Sequence, residues 1–127
     1  MRHRLHTVSV ALLLAVVVSP LAAAETKAVQ TMSAILMKLN HFPSDEEKKS
    51  LQQILDDKTT TADERVVAQA LMNVKHKPAA EDQAKLEAVA KGKTASESVK
   101  TLATIVAGLN HTPSEADKEK LKKLSSS

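Results

Sequence analysis

From Thr26 onward the apolar residues recur at helical spacing: Met32, Leu36 and Leu39, then Val67, Leu71 and Val74, then Leu102, Val106 and Leu109. Offsets of four and seven put each triplet on one face of a helix. The small residues Ser33, Ala68 and Ala103 sit beside these triplets and allow a neighbouring helix to approach closely. A second family of apolar faces follows: Leu51, Ile54 and Leu55, then Leu86, Val89 and Ala90, then Leu121 and Leu124. No stretch of useful length alternates between apolar and polar residues, so strands are not expected.

The pattern has a single period. His41, His76 and His111 stand 35 residues apart, as do Pro43, Pro78 and Pro113, and Leu51, Leu86 and Leu121. Thr26, Thr61 and Ser96 keep the same step, and their hydroxyls suit the first turn of a helix, where N–H groups lack partners. Thr61 with Glu64, Ser44 with Glu47 and Ser114 with Asp117 each pair a cap with an acid three residues on. Ala79 stands where Ser44 and Ser114 do, losing a cap worth about 1 kcal/mol. The prolines end the first helix of each unit, with Asn40 and Asn110 expected as left-handed caps and Lys75 as a poorer one.

These boundaries predict an all-α fold of six short helices in three helix-turn-helix repeats, spanning approximately 25–59, 60–94 and 95–127. Residues 25–127 form a single domain, with loops near Asp57–Thr61 and Gly92–Ser96. A lone hairpin buries too little apolar surface, so the units are expected to stack, as a small solenoid or a compact bundle. Leu86, in the middle unit, is expected to be the most enclosed of the three equivalent leucines. A two-helix unit of this length is similar in outline to tetratricopeptide-type repeats. It lacks their Trp, Leu-Gly and Tyr positions, so the likeness is one of architecture.

The first 24 residues follow a different logic. Arg2 and Arg4 precede an apolar run from Val8 to Val18, and Ala22, Ala23 and Ala24 offer a cleavage site. These are the three parts of a secretory signal peptide, which places the protein in the periplasm or outside the cell without a membrane anchor after cleavage. The whole chain has 18 basic against 15 acidic residues, a net charge of +3. The leader takes two of those cations and no acid, leaving 16 against 15, so the remainder has little pull on polyanions.

Composition excludes several chemistries. The chain has no Cys, Trp or Tyr, two Gly, and Phe42 as its single aromatic. Disulfides, thiolate sites, base-stacking platforms and phosphate-cradling glycine loops are therefore absent, and no nucleic-acid partner is expected. An active site needs unlike groups converging. Residues that recur once per unit share one job, so no catalytic residue is assigned, no cofactor is expected and the chain reads as a non-enzyme.

His41, His76 and His111 admit two readings. In the first, each imidazole hydrogen-bonds free carbonyls where its own helix ends and fixes the hairpin angle within its own unit. In the second, the three rings bind a metal, imidazole being the commonest metal ligand. Packed helices lie about 8–10 Å apart and metal–nitrogen bonds are roughly 2.0–2.1 Å, so three rings reach one ion only if the units curve strongly. The favoured function is binding of a protein or peptide partner, with Phe42 as a weak contact candidate; the alternative is metal binding by the three histidines.

Overall fold

A computed structural model describes residues 25–126; the expected leader, residues 1–24, lies outside them. Six helices form: α1 (Lys27–Lys38), α2 (Asp45–Asp56), α3 (Ala62–Met72), α4 (Ala80–Lys91), α5 (Glu97–Ala107) and α6 (Glu115–Ser126). The described residues contain no strand, only isolated bridges inside three turns. None of these helices is long and apolar enough to cross a membrane.

The helices start where the hydroxyl residues place them. Thr26, Thr61 and Ser96 accept the N–H of Val29, Glu64 and Val99, and Ser44 and Ser114 accept those of Glu47 and Asp117. Full capping boxes close at Ser44–Glu47 and Thr61–Glu64. Ala79 makes no side-chain cap, as expected.

Packing follows from the two families of apolar faces. Helices α1, α3 and α5 meet one another at the centre, and their triplets Met32–Leu36–Leu39, Val67–Leu71–Val74 and Leu102–Val106–Leu109 are all buried. Ser33, Ala68 and Ala103 are fully buried at the same level, where small side chains let the inner helices close up. The outer helices add Leu51, Ile54, Leu86, Val89 and Leu121 to this core, with Leu55, Ala90 and Leu124 half-buried against it.

Connectivity departs from the expected hairpins. Each outer helix lies mainly against the first helix of the following pair: α2 on α3, α4 on α5, and α6 back on α1. The extended residue Leu39 and the turn after it carry α2 away from α1. The return of α6 to α1 makes the arrangement a closed, compact bundle. It has no middle unit, and Leu51, Leu86 and Leu121 are equally inaccessible, so Leu86 is not singled out.

One buried position breaks the apolar pattern. Glu64 stands 35 residues from Val29 and from Val99, and all three are buried. Its carboxylate accepts the Thr61 N–H at 3.0 Å and the Thr26 hydroxyl at 2.6 Å, which satisfies both oxygens. The Thr26 contact ties the start of α1 to the start of α3.

Candidate metal centre

The three turns between first and second helices converge at one end of the bundle. Each begins at a buried anchor (Leu39, Val74 or Leu109) and continues through a histidine with positive φ: 75° at His41, 64° at His76 and 68° at His111. The residue after each histidine donates its N–H to the carbonyl of the residue before it: Phe42 to Asn40, Lys77 to Lys75 and Thr112 to Asn110, at 3.0, 2.7 and 2.9 Å. That closure around a positive-φ residue is a γ-turn of the rare, strained hand. The left-handed position thus falls on the histidines and not on Asn40 and Asn110: α1 has already ended at Leu39 in extended backbone, and α5 at Gly108.

A main-chain ring links the three turns. The His41 N–H donates to the His111 carbonyl at 3.1 Å, His76 to His41 at 2.7 Å, and His111 to His76 at 2.7 Å. Each histidine therefore gives its N–H to one neighbouring turn and its carbonyl to the other, which fixes the three side chains relative to one another.

The imidazoles meet across this ring. The Nδ1 atoms of His41, His76 and His111 lie 3.0, 3.1 and 2.9 Å apart in a near-equilateral triangle. The ring centroids are 4.8, 5.1 and 4.9 Å apart with near-perpendicular planes. Nitrogens closer together than centroids mean that the rings point inward. Extending that convergence brings the three ring axes together near the centre of the triangle. His41 is half-buried and the other two are exposed, so the cluster opens to solvent.

Hydrogen bonding alone leaves this triangle unsatisfied. Each Nδ1 is either a donor or an acceptor. Three mutual neighbours of two kinds always include one like pair, either two N–H groups or two lone pairs face to face. A cation placed where the axes meet accepts three lone pairs at once and removes the conflict. Among the described residues no carboxylate belongs to the cluster, so the donor set is three imidazole nitrogens.

The expectation that each histidine acts within its own unit is corrected here: main chain and side chain both act between units. Closure of the bundle supplies the strong curvature that a three-ring site requires. Phe42 is the exposed large hydrophobic of the described residues, 58% accessible, beside His41. Comparison with protein-family models, with curated proteins and with solved structures gives no match.

Proposed function

We propose that the chain binds a divalent first-row transition metal through the Nδ1 atoms of His41, His76 and His111. The observation that carries this reading is the triangle of nitrogens no more than 3.1 Å apart, with the rings aimed at a common point. An imidazole donor set suits zinc, copper, nickel and iron. At bond lengths of roughly 2.0–2.1 Å, nitrogens about 3 Å apart subtend about 90–95° at the ion. Three imidazole donors leave at least one coordination position free in either a tetrahedral or an octahedral ion.

The backbone supports the same reading. Strained φ/ψ values concentrate at functional sites, and a strained residue is a reason to look for function. Glycine takes positive φ without penalty, yet the chain places its two glycines elsewhere and histidine at all three turns.

The wider setting is also a proposal. The three helix pairs are repeats of one 35-residue unit, and the tripartite leader directs an exported, non-enzymatic protein to the periplasm or the medium. Binding of a protein or peptide partner is supported by exposed Phe42, but the closed bundle lacks the open superhelical face that such stacks usually offer.

The deciding experiment is titration of nickel, copper and zinc into the wild-type chain and His76→Gly, read by calorimetry and thermal melting. Metal at 100 times its dissociation constant is expected to stabilise the wild type by about 2.7 kcal/mol. His76→Gly keeps the main-chain ring, relieves the strained turn and removes one donor, so most of that gain disappears. A second change, His111→Gly, then costs little further metal response. A wild type indifferent to all three metals, or a full response in His76→Gly, overturns the reading.

A further inference from the structure

Beside the imidazole cluster the chain departs from its own threefold pattern. At the seam between the first and second helix pairs an open cleft of about 930 Å3 reaches His76. Its apolar wall is exposed Phe42, half-buried Met72 and buried Val74. Lys48 and Lys75 stand at the same cleft, and neither forms an ion pair among the described residues. No carboxylate lines it. One spacing on, these features do not recur: Phe42 corresponds to Lys77 and Thr112, and Lys75 to Asn40 and Asn110.

We propose that this cleft binds a carboxylate-bearing small molecule with an apolar body, whose carboxylate completes the coordination of the ion held by His41, His76 and His111. The proposal rests on the metal reading above. Three neutral imidazoles leave both charges of a divalent ion uncompensated, which favours an anionic ligand in the free positions. The described residues offer no such anion at the cluster, so the ligand supplies it. Lys75 and Lys48 add to the attraction for a negative headgroup. Phe42 and Met72 give the remainder of the molecule an apolar surface to cover, and an exposed aromatic flanked by cations is the surface that an amphipathic anion matches.

The test is calorimetric titration of 4-phenylbutyrate, with 4-phenylbutyramide as the uncharged control, into the nickel-loaded and metal-free full chain. Two variants accompany it, Lys75→Asn and Phe42→Thr. Each installs a residue that the chain already carries at the corresponding turn, and each lies at an exposed position, so the fold is retained. Phenylbutyrate is expected to bind the loaded wild type and to bind each variant about tenfold more weakly, with nickel affinity unchanged. The amide, and the acid with metal-free chain, are expected to bind at least about tenfold more weakly than the acid with loaded chain. Nickel uptake without phenylbutyrate binding, or equal affinities in wild type and both variants, overturns this proposal alone. Failure of the wild type to take up nickel, copper or zinc overturns the metal reading and this proposal with it.

Discussion

A residue held at positive φ forfeits on the order of 1–3 kcal/mol unless it is glycine, and this chain accepts that penalty three times with the same side chain. The choice of histidine is thus a side-chain requirement imposed on a backbone that prefers none. The recurrence of His41, His76 and His111 was legible in the sequence. Their meeting was not, because it depends on positive φ at three non-glycine residues, which no local residue preference indicates. A second local device sits at the opposite helix ends. The backbone N–H of Thr59 donates to Asp57 Oδ1 at 2.8 Å and its hydroxyl at 2.7 Å, and these bonds hold the Asp57 carboxyl below its ordinary value. A lowered folded-state pKa means stabilisation that is present above the ordinary carboxylate range and lost as pH falls through the lowered value. Thr59→Ala removes the hydroxyl and is expected to raise the Asp57 pKa toward the ordinary value, as read by NMR titration of its carboxyl carbon.

Among the elements, helix starts were the most readable feature, because a hydroxyl followed three residues later by an acid has one local use. Thr61 with Glu64 and Ser44 with Glu47 close as the spacing indicates. The reach of Thr26 to Glu64 was hidden, since it joins α1 to α3 across 38 residues. Helix ends were less readable: the residues suited to left-handed caps, Asn40 and Asn110, do not take that conformation. Helix α4 offers the clearest element-level test. Its N-cap, Ala79, makes no side-chain bond, while Asp82 is already engaged by the Asn73 side-chain amide at 3.1 Å. Ala79→Ser is expected to add about 0.5–1 kcal/mol, and Ser44→Ala in α2 to remove a similar amount. Both are read by urea denaturation. No gain from Ala79→Ser would mean that the Asp82–Asn73 contact blocks the cap geometry.

For the whole molecule, the faces that form the core follow from helical periodicity, but the partner of each face does not. Offsets of four and seven put Leu51, Leu86 and Leu121 inside. They say nothing of whether α2 covers its own α1 or the next helix along, since both choices bury the same residues. Closure removes any distinction between inner and end units. Leu51→Ala, Leu86→Ala and Leu121→Ala are therefore each expected to cost 2–5 kcal/mol, the usual range for a buried leucine, with the three values close together. An open stack would instead spare the outer positions. Thermal melts of the three variants separate the two patterns.

The return of α6 to α1 packs the last described helix on the first, and the Ser125 hydroxyl reaches the Met37 sulfur at 3.6 Å. The joints of α2 with α3 and α4 with α5 are each spanned by a short loop. Residues 57–61 bridge Asp56 to Ala62 at the first of those joints. Because α1 is held by α6 and α2 by α3, a proteolytic cut at exposed residues 57–59 is expected to leave the two pieces bound together, migrating as one species in gel filtration.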